Sequence, residues 1–522
     1  MTMARLQLLQ NFVGGSRQSD RHSVNMSYTQ NMFTETQGEG ASASKILRSI
    51  PGMRLETVIQ GTPRGSFVAS RGYQGNERLF VAFGDSVYAV DRNGVDGYSV
   101  NYAFGIRNGS NPVTFTETVG EGDAHPCIVC ADGANVFVMP SDIAPADFAD
   151  NIHYPQLPVN AKGKFIKPSH VCYAYNYLLV NDTNSDAFYM SEQYPFEGQT
   201  EGGETNWNCF TYSTIDGTTN EYGFVTYAEW CPDNITAMIS TGSNVWTFGP
   251  RSFQIFQYNN SVNFPFTSPN TAAQSVGILA PYTLCRIGET VLWLGSSDVG
   301  HFGVYRANGT TPERVSNPDV ERAFAKVDNI ESVRAQAWVE NGHAFYAIDA
   351  GDSTYVFDLS ENEWHNRVST TKGRNENNAW RYSFAVRFGG KIVFLTKGAM
   401  CTETEDSYRE HDGAPIIRIR RGGAILNNFT PFYLDAVKFI LSNGYAEGDE
   451  FNPSVMFRYS TDDVRFWNER IGYMGRRGQY DYETVFLKLG LARIFNFELS
   501  CSDNVPFDII SCVITYAPCG RF

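Results

Sequence analysis

One device recurs along most of this chain: two apolar runs joined by a short turn of Gly, Asn or Asp. Leu79 to Val90, LFVAFGDSVYAV, turns at Gly84-Asp85, and Cys127 to Val138, CIVCADGANVFV, turns at Asp132-Gly133, a pair that tolerates positive φ and is read as a two-residue hairpin turn. Further pairs begin at Tyr177, Ala237, Val291, His343 and Ile392. Their starts are spaced by roughly 50 residues, the repeat length of sheets that cannot bury both faces alone and must stack around an axis. The repeat shares shape more than letters.

Length points the same way. With 522 residues the chain is too long for one hydrophobic core, so it must divide into domains or repeat small ones. Aromatic residues reach 14%, glycines number 47 and charged residues are only 19%, a balance that suits short strands and tight turns. The expected fold is all-β: a β-propeller of six or seven blades over residues 61–410, where ring closure leaves no unprotected first or last sheet. A single helix is predicted in SNPDVERAFAKV, capped by Ser316 or Asn317 with Pro318 in its first turn. Residues 1–60 are polar and read as an extended N-terminal arm that needs a partner surface to order. Residues 411–522 read as a separate antiparallel, sandwich-like β domain, because APIIRIRRGG, FYLDAVKFIL, PSVMFRYSTDD, ETVFLKLG, RIFNFELSC and IISCVITYA alternate or run apolar as strands do.

A formal net charge of -15 argues against broad binding to nucleic acid, which requires clustered Lys and Arg. The first residues, MTMARLQLLQNFVGGSRQ, do not resemble a signal peptide, and no segment approaches 18 consecutive apolar residues, so a soluble, cytosol-made protein without membrane insertion is expected. Ten scattered cysteines, several inside strand-like runs, read as buried free thiols.

Candidate chemistry is sparse. Ser460 to Trp467, STDDVRFW, approaches the S-x-D-x-G-x-T-W turn of sugar-cleaving propellers, in which Asp bonds turn amides and Trp packs beneath; Ser460, Asp462 and Trp467 are therefore read as a structural turn, with Val464 and Phe466 in place of Gly and Thr. A glycan-binding or sialidase-like propeller is the alternative reading, but it calls for several such turns and an arginine cluster or paired carboxylates. HPCIVC holds two thiols and His125 without the upstream H-x-E of a zinc deaminase, and reads as a blade strand. His343 and His365 have no nucleophile motif beside them, and no phosphate-cradling loop is found, so neither an enzyme nor a cofactor is expected. The alternation IIRIRR places Arg418 and Arg420 on one strand face with Arg421 next, and Arg476-Arg477 forms a second pair. These five are read either as inter-subunit contacts or as an ordinary solvated face.

The order of short motifs resembles the tail hub or nozzle proteins of short-tailed bacteriophages, the packaged DNA stabilisation family. The resemblance lies in NFVGGS (Asn11 to Ser16), NMF (Asn31 to Phe33), IPGMRL (Ile50 to Leu55) and PRGSF (Pro63 to Phe67). It continues through FYMSEQ, PDNITAMISTGSNVWTFGPRSFQIF, RVSNPDVERAF, NGHAFYAI and ENEWHNR to YSTDDVRFW and GRRGQYDYETVFLKLGLAR. Asn366 departs from it, standing where the family often has glutamate, and Val464 replaces a turn glycine. The resemblance implies a virion component of the tail, assembled in the bacterial host cytoplasm as a ring, with a homohexamer expected, below the portal and its adaptor. It also implies partners among tail fibres, spikes or a plug, and transient passage of duplex DNA, which an acidic wall would let slide.

Overall fold

A computed structural model describes residues 5–9, 12–18, 26–38, 44–94, 97–119, 125–194, 207–210, 212–213, 219–220, 224–228, 230–231, 233–242, 244–260, 264–269, 273–297, 300, 302–371, 377–446, 451–462 and 467–519. In strands, successive side chains point to opposite faces, and here both faces are needed. In Cys127–Ala131, for example, Cys127 and Val129 enter one core with Leu178 and Val180, whereas Ile128 and Cys130 enter another with Phe80 and Ala82. Each apolar hairpin thus belongs to a sheet buried on two sides.

Among the described residues the hairpins build seven such sheets, so the expected six or seven blades resolve to seven. The first uses Pro63–Ala69, Arg78–Phe83, Ser86–Asn93 and Gly97–Gly105; the sixth uses Ala335–Glu340, His343–Asp349, Thr354–Asp358 and Glu363–Thr370. Seven apolar cores alternate with the blades, the last joining Leu79 and Val81 of the first blade to Val393 and Leu395 of the seventh. Ring closure is made by the N-terminal part of the chain: Gly52–Val58 pairs antiparallel with Ala399–Thr404 and supplies the seventh blade's outer strand.

One local expectation changes, and another is narrowed to one of its two alternatives. The CIVC hairpin turns over four residues, because Asp132 Oδ1 accepts from the amides of Ala134 (2.9 Å) and Asn135 (2.8 Å) while only Gly133 takes positive φ. The helix spans Pro318–Phe324, and Asn317 is its cap, accepting from the amides of Asp319 and Val320 at 3.0 and 3.1 Å.

The C-terminal strands form the expected sandwich, but together with the N-terminal segment. One sheet runs Met32–Gln37, Ser44–Ser49, Ile509–Pro518, Phe432–Leu441, Thr484–Ala492, with Arg5–Leu8 also paired to Ile509–Pro518. The other carries Met26–Gln30, Arg418–Arg421, Ile494–Cys501, Ser454–Ser460 and Asn468–Tyr473, and Gln30 continues it onto the sixth blade through a parallel pairing with Asn366. Phe439, Phe457, Phe486 and Phe497 fill the space between the sheets, with Phe12 stacked on Phe497 at 5.1 Å. The arm therefore orders on the chain itself: its apolar positions complete a core begun more than 400 residues later.

Candidate functional site

Several of the short motifs quoted above, far apart in sequence, meet at one place, the joint between the sixth blade and the sandwich. NFVGGS lies against ENEWHNR so closely that a Cβ on Gly15 would stand 2.6 Å from the Trp364 carbonyl oxygen, which makes glycine obligatory there. The Ser16 amide donates to that same oxygen at 2.5 Å, and the Ser16 hydroxyl donates to Asn366 Oδ1 at 2.9 Å. Asn31, in the left-handed region at φ 54°, donates through Nδ2 to the carbonyls of Val368 (3.1 Å) and Ile417 (2.9 Å), while its Oδ1 accepts from the Val368 amide at 2.9 Å. One asparagine thereby ties the N-terminal strand, the blade and the sandwich. The helix cap joins in, since Asn317 Nδ2 donates to the Ser16 carbonyl at 3.2 Å.

The arginine pair of IIRIRR locks this joint from inside. Arg420 is 1% exposed and donates to the carbonyls of Phe12 (2.6 Å) and Gly15 (3.1 Å) and to Thr29 Oγ1 (2.6 Å), its guanidinium 5.6 Å from the centre of the Phe12 ring. Burial lowers its pKa to about 10, so it remains charged at neutral pH. Arg418, 0% exposed, donates to the carbonyls of Val505 and Asp503 and stacks on Tyr408. Both readings made for this pair are thus corrected: neither side chain is solvated, and neither can reach another subunit. Arg421 is likewise used within the chain, bonded to Glu498 Oε2 at 2.8 and 2.6 Å. Arg476 and Arg477 are exposed.

Ser460 Oγ donates to Asp462 Oδ1 at 2.7 Å, and Trp467 lies between two guanidiniums, Arg458 at 5.2 Å and Arg421 at 5.7 Å, both paired to Glu498. Val464 and Phe466 lie outside the described residues. Asn366, the departure from the resembled family noted above, is 2% exposed and hydrogen-bonds Ser16 and Ser353.

Two cavities flank the joint. A polar one of about 540 Å³ is lined by Gly14, Arg17, Ser27, Asn317 and Glu363 among others. A smaller one of about 160 Å³ opens between the arm's hairpin and the sixth and seventh blades. At its base Arg367, 1% exposed, reaches Glu403 at 3.3 Å and lies within about 5 Å of the rings of Trp338, Phe345 and Trp380. Burial, then the neighbouring Glu340, pushes the Glu403 carboxyl well above its ordinary range. His343 bonds Asp358 at 2.6 Å beneath the edge of Phe33, which explains its place in a core rather than in a nucleophile pair.

The propeller axis is crossed by side chains. Arg334 of the sixth blade donates to the Ser110 carbonyl at the entry to the second, and Tyr282 of the fifth stacks on His170 of the third at 5.5 Å. Arg64, 2% exposed, is spent on the carbonyls of Gly84 (2.6 Å), Arg107 and Asn111 (both 2.8 Å). Asp132 at this end serves its own turn and the Arg107 amide. Side chains of opposite blades thus bridge the axis at this end. Cys127 and Cys130 face different cores from one strand, burial pushing the Cys127 thiol up to about 12, whereas His125 precedes that strand, exposed, with Nδ1 2.9 Å from the Asp142 carboxylate. Among the described residues no group of three His, Cys, Asp or Glu is placed to hold a metal ion, and no helix is long and apolar enough to cross a membrane.

Residues 161–401, from just before the third blade into the seventh, match the model of a phage-stabilisation family described as bacteriophage P22 Gp10, β-propeller. No curated protein matches the chain. Among solved structures, the extracellular domain of a one component system from B. thetaiotaomicron aligns at 11% identity and TM-score 0.36, over 72% of this chain and 40% of that one. The AfRom2 CNH domain aligns at 8% identity and TM-score 0.37, over 67% and 97%. A Chaetomium thermophilum Polycomb Repressive Complex 2 bound to GSK126 aligns at 9% identity and TM-score 0.34, over 60% and 73%. The chain spans less than half the length of the first of these structures.

Proposed function

Because residues 161–401 belong to the bacteriophage P22 Gp10 β-propeller family, we propose that this chain is a structural protein of a phage tail that stabilises packaged DNA. In this reading it forms a ring, a homohexamer, below the portal and adaptor of a short-tailed phage, extends the DNA channel, and carries the docking sites for fibres, spikes or a plug. It assembles in the host cytoplasm and acts in the virion.

The observation that carries the reading is the family match. Two physical features support it. A propeller closed by its own N-terminal strand and clamped to a sandwich through a buried joint is a stiff unit, suited to a load-bearing wall. Its axis is bridged, so duplex DNA would pass along the lumen that the copies enclose and not through the propeller. A net charge of -15 keeps that wall from holding phosphates, since each neutralised phosphate adds to a salt-dependent grip that would oppose ejection.

The test is a phage whose gene for this chain carries an early stop codon. Its heads should fill and then leak, with packaged DNA becoming sensitive to added nuclease. Mutant particles that keep their DNA as well as wild-type ones would refute the proposal. In a mobility-shift assay at physiological salt, the purified chain should leave duplex DNA unretarded.

A further inference from the structure

An antiparallel sheet that faces water on one side alternates apolar-in with polar-out. The sheet ending in Phe432–Leu441 and Thr484–Ala492 breaks that rule. Phe439 and Phe486 fill the core behind it, yet on its outer face Tyr433 stands opposite Leu491, Ala436 opposite Leu487 and Lys438 opposite Val485. Tyr433, Leu487 and Leu491 are 53, 56 and 50% exposed. Lys438, the one charge in these rows, is already paired with Glu483. The sheet's outer edge is blunted as well, because Arg470 donates to the carbonyls of Leu487 and Lys488.

The other sheet of the same sandwich carries a second apolar patch on its own outer face. Met456 stands opposite Ile471, and Ser454 opposite Tyr473, with Ile471 67% exposed. The next row holds Arg458 and Glu469, bonded to one another at 3.0 Å. The charges of the second face are partnered inside the chain, while the first face carries two exposed charges, Asp435 and Lys488, at the bulge beside its apolar rows.

We propose that these two faces are the two halves of one contact between copies: the Tyr433–Leu487–Leu491 face of one chain seats on the Met456–Ile471–Tyr473 face of the next. A partner of another kind would account for one face; identical copies account for two on opposite sides of one domain. A contact joining different faces leaves each added copy with a free face, and it is satisfied throughout only when the assembly closes on itself. The first patch exposes on the order of 400 Å² of apolar surface, comparable to the largest patch of a typical monomer. That is about half of the ~800 Å² each partner gives to a standard interface, the polar rim supplying the rest. The inference draws on the proposed function only for copies repeating around an axis.

The test uses Leu487→Glu and Ile471→Glu, whose side chains point away from the core, with sedimentation velocity as the readout. Wild-type chain should form a closed oligomer at high concentration. Each variant alone should be a monomer, its association weakened at least about 100-fold by a carboxylate pressed into an apolar contact. Circular dichroism and melting should match wild type. Mixed one to one, the variants should form dimers and nothing larger, since each keeps one intact face. Wild-type chain that stays monomeric at the highest soluble concentration, a variant that assembles normally, or a mixture that stays monomeric would each overturn the proposal. A chain that assembles as described but is absent from phage particles by mass spectrometry would refute the virion role and leave the contact standing.

Discussion

Replacing Arg420 by methionine should free the N-terminal segment from the joint. Three acceptors lose a charged donor: the Phe12 and Gly15 carbonyls and Thr29 Oγ1. Bonds from a charged donor contribute about 2 kcal/mol each, so roughly 6 kcal/mol is lost. The ring contact with Phe12 adds about 1 kcal/mol. Against this, methionine removes the burial cost of a guanidinium whose pKa has fallen from 12.5 to about 10, worth about 3 kcal/mol. The net loss is about 4 kcal/mol, a factor on the order of 10³ in local opening. Hydrogen exchange reads this directly at the amides of Ser16 and Asn31, which donate to the blade carbonyls of Trp364 and Asn366. Those amides should exchange about a thousandfold faster, while amides inside the second and third blades keep their rates; Arg420→Lys, which keeps the charge but not the fork, should lie between. Acceleration below tenfold at Ser16 and Asn31 would refute the claim that this side chain holds the joint.

Three further outcomes follow from the same geometry. Burial lowers the His170 pKa to about 4 from 6.5, so its neutral form contributes stability that is present above pH 6.5 and lost as pH falls toward 4; His170→Gln should reduce the loss between pH 7 and 4.5 by about 2 kcal/mol in urea titrations. Glu403 has the opposite sign: with its folded pKa raised, its contribution is full below pH 4.5 and declines above it, so Glu403→Gln should become more stable relative to wild type as pH rises from 4.5 to 8 in melting experiments. Removing residues 1–60 takes away Gly52–Val58, which pairs Leu55 with Cys401; the Cys401 thiol, 0% exposed in the intact chain, should become reactive toward a chromogenic disulfide in the truncated protein and stay silent in the full one.

Much of the propeller could be read locally. Each expected hairpin from Leu79 to Thr404 lies within one blade, because alternation and turn chemistry act over a dozen residues. The joint could not be read that way. R-I-R on a strand looks solvated until Phe12, Gly15 and Thr29 are known to cover it, and those residues lie about 400 positions earlier. One signal was available: the double glycine of NFVGGS, without a hairpin partner, marks a close backbone approach.

The sequence by itself determined the all-β class, the hairpin period and the capped helix, since these depend on side-chain alternation and on groups a few residues apart. Tertiary structure alone decided that Gly52–Val58 closes the ring, that the N-terminal segment belongs to the C-terminal sandwich, and that Arg418 and Arg420 are buried. The physical reason is that strand pairing and burial depend on which edges and faces meet, and a backbone edge carries the same donors and acceptors whatever its sequence.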